Sequence, residues 1–470
     1  MRGEKSAGAG GWGPTRDLEG KRVSILGLGA SGEAAAHLVL NKGGQVYVSD
    51  LRTEASAAAG AADLRALGAQ VDLGGHDLER ISSSDLVVVS PGIPPDAPVL
   101  RALRGVGRGW ISEPELAFRF FRSPLIAVTG TNGKTTTAVL TAHLLRSAGM
   151  EVGLGGNIGG GLGPPASALA TTEPVPDWLV VEVSSFQLAD IRRFRPDIGI
   201  LTNLAPDHLD RYPGLSAYYA DKANLFRNAT EDSKWVLNGD QPEVAELAGD
   251  AVGDRFWVSL DEARAPGAWL SDEGDLAQDL GDGVEPILPG SDFPLLGRHN
   301  VANGLFAAVA AQLAGAGLEP VRRGLGSAPS IAHRMEPVGE RDGVLWINDS
   351  KATNVAAAAS ALGSLDRDVV VLLGGKDKGE DLEPLARAME GRVRLAVLYG
   401  AARDRFARDL NTRVPLRIVP GTFEDAVAAA ASESRPGEVL LLSPACSSFD
   451  MFADYAARGE RFRTLAEGRG

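Results

Sequence analysis

One stretch constrains this chain more than any other: Ala127-Val128-Thr129-Gly130-Thr131-Asn132-Gly133-Lys134-Thr135-Thr136. An apolar strand, Leu125 to Val128, runs into a glycine-bearing turn. A helix follows, with Leu140, Leu144 and Leu145 on one face and Gly149 as its stop. Strand, turn and helix in that order offer backbone N–H groups, a helix N-terminus and a lysine ammonium to one anion. Gly130, Thr131, Asn132, Gly133, Lys134, Thr135 and Thr136 are therefore expected to hold the phosphates of a nucleotide. The hydroxyl of Thr135 or Thr136 is the expected magnesium ligand beside them. The pattern is not a full Walker A, whose first glycine would fall at Val128 or Thr129 depending on register. A glycine-rich turn with an exposed lysine is the bland alternative, and it leaves the order of the elements unexplained.

At 470 residues the chain is long enough for about three domains. A net charge of −14 argues against a nucleic-acid partner, because binding a phosphate backbone needs a basic face. The single cysteine, Cys446, excludes an intramolecular disulfide framework and suits a reducing cytoplasm. No apolar run approaches the ~20 residues of a membrane-spanning helix. Residues 1–20 carry Arg2, Lys5 and small residues with no apolar core, and read as a flexible tail, not a signal peptide.

Three segments are expected after the tail, 21–120, 121–329 and 330–470, each alternating strands and helices, so the class is α/β. The first opens with a strand, Arg22 to Leu26, then Gly27-Leu28-Gly29-Ala30-Ser31-Gly32, a helix from Glu33 to Leu40, and a strand from Gln45 to Ser49 that ends at Asp50. This is a G-x-G-x-x-G fingerprint with an acid about twenty residues on, the pattern of a dinucleotide site. Alone it points to NAD and an oxidoreductase. The physics admits any diphosphate on that helix N-terminus and any ribose on Asp50, a uridine diphosphate sugar included. A third strand, Asp85 to Val89, ends in Ser90-Pro91-Gly92-Ile93-Pro94, either a plain tight turn or a second set of N–H groups for the same ligand. A helix from Glu113 to Phe121 closes the segment.

In the second segment a glycine-rich stretch, Gly153 to Gly163, reads as a loop that carries Asn157. The strand from Trp178 to Val183 contains Glu182, an acid too costly to bury unless it binds magnesium or joins an ion pair. His208 lies in a polar loop after the strand Ile198 to Leu201, as a structural histidine or as a metal or phosphate contact. Lys222, on a helix from Ser216 to Asn228, reads as an ordinary surface lysine. Residues 261–292 read as acidic hairpins or an insertion. Asn300 and Asn303, one turn apart, either read a base edge or leave Asn300 as a helix cap. In the third segment, strands at Leu345 to Ile347, Val369 to Leu373, Leu395 to Tyr399 and Val439 to Leu442 are expected. Polar loops follow three of them: Asn348 to Asn354, Gly374 to Gly379, and Ser443 to Asp450. Ligands of open α/β sheets bind at such carboxyl ends.

Together these motifs resemble the Mur ligase family over nearly the whole chain from about residue 20. The phosphate loop is shared with folylpolyglutamate synthetases, whose first domain lacks the G-x-G-x-x-G pattern. Asp349-Ser350-Lys351-Ala352-Thr353-Asn354, with Ser443-Pro444-Ala445-Cys446-Ser447-Ser448, is similar to the D-glutamate-adding members. The Asp-Asn-Pro-Arg motif of the diaminopimelate- or lysine-adding members is absent.

The resemblance implies a Rossmann-like nucleotide-sugar domain, a central P-loop ATPase-like domain and a Rossmann-like C-terminal domain. It implies a monomeric cytoplasmic ligase of peptidoglycan precursor synthesis that uses ATP and magnesium at two sites. Its substrates would be UDP-N-acetylmuramoyl-L-alanine and D-glutamate. Ser31, Asp50, Arg52, Ser90 and Gly92 would hold the uridine nucleotide, and Asn157 the reacting end of that substrate. Thr135 and Glu182 would ligate one magnesium ion, His208 and a carbamylated Lys222 the second. Asn300 and Asn303 would face adenine, with Arg334 and Asp349 reaching ATP from the third domain. Lys351, Thr353, Lys378, Ser448, Phe449 and Tyr455 would receive D-glutamate. Lys134, His208, Lys222 and Lys351 are the expected catalytic groups. A nucleotide-regulated binding protein without catalysis is the remaining alternative.

Overall fold

The computed structural model describes residues 18–159, 161–207 and 211–468. Residues 1–17 of the expected tail, and His208, lie outside the described residues. The first sheet contains β1 (Arg22–Leu26), β2 (Gln45–Asp50), β3 (Gln70–Leu73), β4 (Leu86–Val89) and β5 (Ile111–Ser112). They run parallel in the order β3-β2-β1-β4-β5. The order reverses at β1, so the Gly27–Gly32 and Ser90–Pro94 loops meet at one topological switch point, where such sheets bind ligands.

The central sheet contains β6 (Leu125–Thr129), β7 (Val152–Gly156), β8 (Trp178–Glu182), β9 (Ile198–Leu201), β10 (Lys234–Asn238) and β11 (Asp254–Ser259), then β12 (Gly267–Leu270), β13 (Leu276–Asp279) and β14 (Glu285–Leu288). Their order is β14-β13-β12-β11-β10-β9-β6-β8-β7, which places β6 between β8 and β9. The acidic stretch supplies the antiparallel edge, β12 to β14. Helices Lys134–Ser147 and Arg298–Leu313 pack Leu140, Leu144, Leu305, Phe306 and Val309 into one core against this sheet.

The third sheet contains β15 (Glu336–Arg341), β16 (Val344–Asn348), β17 (Val369–Gly374), β18 (Val393–Tyr399), β19 (Leu416–Ile418) and β20 (Val439–Leu442). Its order is β15-β16-β20-β17-β18-β19, with β15 antiparallel at the edge. Strands such as β17 and β20 are buried along their whole length, as parallel strands covered on both faces must be. Three sheet-bearing α/β domains are thus present. Among the described residues no helix is long and apolar enough to cross a membrane.

Two expectations are corrected. The glycine-rich stretch from Gly153 is not all loop, because Val152–Gly156 forms β7, paired with β8. Its glycines serve close approach, since a Cβ on Gly153 would lie 2.7 Å from Leu179 Cδ2 and one on Gly156 would lie 2.3 Å from the Glu182 carbonyl oxygen. Helix Leu215–Ala223 buries Lys222, which is only 1% exposed and is no surface lysine. Tyr218 and Lys222 are one turn apart on the buried face, a spacing that carried the signal.

The first and central domains meet at the short helix Glu113–Phe118. Glu115 accepts hydrogen bonds from the backbone N–H groups of Arg192, Arg193 and Phe194 at 3.0, 2.8 and 2.8 Å. Glu113 accepts from the Ser167 N–H through one oxygen, and its other oxygen is buried without a partner among the described residues. Burial pushes the Glu113 carboxyl up to about 7, against the pull of the Ser167 bonds. A carboxyl whose pKa rises on folding stabilises the fold at low pH, and that contribution is lost as pH climbs from about 4.5 through about 7. Glu113→Gln should therefore match the wild-type Tm near pH 5 and exceed it near pH 8, by about 2–4 °C per kcal/mol. A thermal melt series in which the difference stays flat with pH would refute this.

Candidate active site

The phosphate loop is held by its two flanking strands. Val128 pairs with Glu182 of β8, and Thr129 with Leu201 of β9. Gly130 and Gly133 have φ of 145° and 80°, and a Cβ on either would meet Thr202 Oγ1 at 2.0 Å or Asn303 Oδ1 at 2.3 Å. Lys134 Nζ donates to the Gly130 and Thr131 carbonyls at 3.1 and 2.9 Å. Lys222 Nζ donates to the same Gly130 carbonyl at 2.7 Å and lies 4.5 Å from the Tyr218 ring centroid. Thr135 Oγ1 donates to Glu182 Oε2 at 2.6 Å, and Asn157 Nδ2 to Glu182 Oε1 at 3.3 Å. Burial lowers the pKa of Lys134, and lowers that of Lys222 much further with help from Lys134.

A cavity of about 320 Å³ separates this loop from the third domain. Asn132, Gly133, Asn300 and Asn303 line one side, and Arg334, Asp349 and Lys351 the other. Asn300 Nδ2 donates to the Leu296 carbonyl at 2.7 Å, and Asn303 Nδ2 to Asn300 Oδ1 at 3.1 Å. Gly297 occupies the cap position of this helix, so the alternative of Asn300 as cap is excluded. Arg334 sits between His333 and Met335, whose φ of 65° and 46° put the backbone in the left-handed region where the chain enters the third domain. Asp349 accepts from the Met335 N–H at 3.1 Å and Ser443 Oγ at 2.9 Å, yet burial pushes its carboxyl up to about 7. Burial, then repulsion from Arg334, lowers Lys351 to about 7. Lys134, Lys222, Arg334 and Lys351 thus form an array of basic side chains whose protonated forms burial disfavours and an incoming polyanion would stabilise.

Polar contacts join the central and third domains beside this cavity. Lys378 Nζ meets Asp207 Oδ1 at 3.1 Å, and Asn354 Nδ2 donates to Asp207 Oδ2 at 3.1 Å. Lys351 Nζ lies 3.9 Å from the Tyr455 ring centroid. The Thr353 N–H donates to the Lys351 carbonyl at 2.8 Å, in the same turn. Ser448 is buried, whereas Phe449 is 68% exposed. The two loops of this rim are bound together by Arg458, which is 0% exposed. Its Nε donates to Ser350 Oγ at 2.9 Å, and its Nη2 to the Ser350 and Cys446 carbonyls at 2.8 and 3.1 Å. Burial pushes the Cys446 thiol up to about 12, so it is no nucleophile near neutral pH.

Ser31, Asp50, Arg52, Ser90 and Gly92 line a separate cavity of about 560 Å³ in the first domain. Asn157, expected at the reacting end of the same substrate, lies apart from this cavity, on Glu182 beside the phosphate loop. Burial works to raise the Asp50 carboxyl, but its bonds with Arg52 and the Leu28 N–H outweigh it and hold the pKa at about 2. Sequence reasoning passed over Asp207, Arg458, His299 and His76. Asp207 was signalled by its polar run after β9, and His299 by its place beside Asn300. Arg458, on an amphipathic helix, gave no signal.

Three family models match the chain: Mur ligase MurD-like, N-terminal domain, at residues 21–111; Mur ligase middle domain at 128–311; and Mur ligase, glutamate ligase domain, at 333–446. The chain is 42% identical to the UDP-N-acetylmuramoylalanine--D-glutamate ligase of Acidobacterium capsulatum, over 96% of each chain. It is 40% identical to the protein of that name from Geobacter metallireducens, over 97% of this chain and 99% of that one. Among solved structures it is similar in fold to a MurF ligase from Thermotoga maritima in complex with ADP, with a TM-score of 0.60 at 14% identity, over 97% of this chain and 96% of that one. A pseudomurein peptide ligase type C from Methanothermus fervidus matches with a TM-score of 0.59 at 20% identity, over 95% and 99%. With models of all three domains matched and close relatives aligned from end to end, this chain belongs to the Mur ligase family.

Proposed function

We propose that this chain is an ATP-dependent ligase that adds D-glutamate to UDP-N-acetylmuramoyl-L-alanine in the cytoplasm. The observation that carries the reading is the shared cavity: a phosphate loop on one wall, with Arg334, Asp349 and Lys351 of the glutamate ligase domain on the other. The names of the relatives supply the substrate.

An ionised carboxylate is a poor electrophile, so amide formation needs activation. An oxygen of the alanyl carboxylate attacks the γ-phosphorus of ATP, and the bond to the bridging oxygen breaks to release ADP. The D-glutamate amine then attacks the acyl phosphate. Phosphate leaves from the tetrahedral intermediate and the amine loses its proton. In such chemistry the protein chiefly positions groups and neutralises charge. Lys134 turns from its loop carbonyls to the β- and γ-phosphates. Asn300 and Asn303 face the adenine, and Arg334 and Asp349 meet the triphosphate. Asn157 holds the alanyl end, while Lys351, Thr353, Lys378 and Ser448 receive the dicarboxylate, with Phe449 and Tyr455 beside them.

Among the described residues no three His, Cys, Asp or Glu side chains form a metal cluster. Magnesium takes one or two protein ligands and completes its shell with phosphate and water. Thr135 and Glu182, already in contact, would hold one ion, and His208 with carbamylated Lys222 a second. The ions would supply charge neutralisation on the phosphates. Lys222 fits carbamylation because burial favours its neutral, nucleophilic amine.

Phosphate release that requires both the nucleotide sugar and D-glutamate tests the reading, and release with neither would sink it. Lys134→Ala should cut turnover by about a thousandfold or more while nucleotide-sugar binding persists. Retained turnover would remove the phosphate loop from the mechanism. Lys222→Ala should be inactive and partly rescued by acetate, whereas full activity without rescue would rule out the carbamate.

A further inference from the structure

The acid of the G-x-G-x-x-G fingerprint is already spent. Asp50 Oδ2 accepts from the Leu28 N–H at 2.6 Å and Arg52 Nη2 at 2.9 Å, and Oδ1 from the Arg52 N–H at 2.8 Å and Arg52 Nε at 3.1 Å. A carboxylate has about four lone-pair sites, and four donors fill them. Arg52 Nη2 also donates to the Leu28 carbonyl at 2.6 Å, so the acid and its arginine close the glycine loop on itself. A ribose hydroxyl would have to break this arrangement to reach Asp50.

The same cavity holds a group that is not spent. His76 also lines it, and Ser49 Oγ lies 2.8 Å from its Nδ1. Among the described residues its Nε2 has no hydrogen-bond partner. The loop that carries it is fixed on both sides: Gly74 and Gly75 donate to the Asp50 carbonyl at 2.8 and 3.3 Å, and Asp77 caps the helix Leu78–Ser83. Burial lowers the pKa of His76, which keeps the ring neutral near pH 7. A neutral imidazole anchored through one nitrogen offers the other to a hydroxyl.

We propose that His76, not Asp50, makes the hydrogen bond to the 2′-hydroxyl of the bound uridine nucleotide, and that Asp50 is a positioning residue for the loop. The proposal rests on the nucleotide-sugar reading of the first domain. The test is calorimetric titration of the full chain with UDP and with 2′-deoxy-UDP. The wild type should prefer UDP by about tenfold, one hydrogen bond's worth. His76→Phe, or His76→Ala if the first variant does not fold, should lose that preference while the KM for D-glutamate stays unchanged. Asp50→Asn should weaken both nucleotides alike and keep the preference. A folded His76 variant that still discriminates overturns the proposal, as does a wild type that binds UDP without discriminating. A wild type that binds neither nucleotide overturns the nucleotide-sugar reading as well.

Discussion

The contact between Thr135 and Glu182 is the constraint on which the central domain depends. A carboxylate at the end of a buried parallel strand is costly unless its oxygens are satisfied. Here the hydroxyl of the first helical turn and the amide of Asn157 satisfy them. That holds only because β6 lies between β8 and β9, which brings Glu182 and Thr202 to opposite sides of one loop. Gly130 and Gly133 have no side chains because Thr202 and Asn303 occupy the space. The loop is therefore held in shape before any phosphate arrives, and Lys134 and Lys222 wait on its carbonyls.

The third domain completes the site through polar contacts, beside which Leu296 of the central domain packs against the third domain's core. Asp207 reaches Lys378 and Asn354, and Arg334 enters the cavity from a turn of left-handed residues. Basic side chains stand on both walls, and their mutual repulsion adds to burial in lowering the pKa values of Lys134 and Lys351. Arg458 keeps the third domain's half rigid by joining two loops that are almost a hundred residues apart in the chain.

Much of the fold was legible in the residues. Buried strands such as Ile198–Leu201 and Val439–Leu442 are continuous apolar runs, and the phosphate loop and G-x-G-x-x-G turns follow their strands directly. Less legible were strands whose composition hides them. β7 is rich in glycine because neighbours crowd it, and β3 alternates polar and apolar residues over only Gln70–Leu73. Of the candidate site, Lys134, Thr135 and Glu182 were readable from local pattern. Lys222 was misread as exposed because a lysine is seldom buried, although its one-turn spacing from Tyr218 put it on the buried face of its helix.

By itself the sequence determined that Gly130–Thr136 forms a strand–turn–helix loop of the phosphate-binding type, that the class is α/β, and that three polar loops end strands of the last segment. Those properties are local, set by φ-permissive glycines, helix N-termini and apolar runs. Only the tertiary structure decided which of these groups are partnered and which stay available to ligands. It set Lys222 beside Lys134, Arg334 across from Asn303, and Asp50 on its own arginine with His76 beside it. Such assignments depend on strand order and domain contact, which join residues far apart in the chain and leave no periodic trace along it.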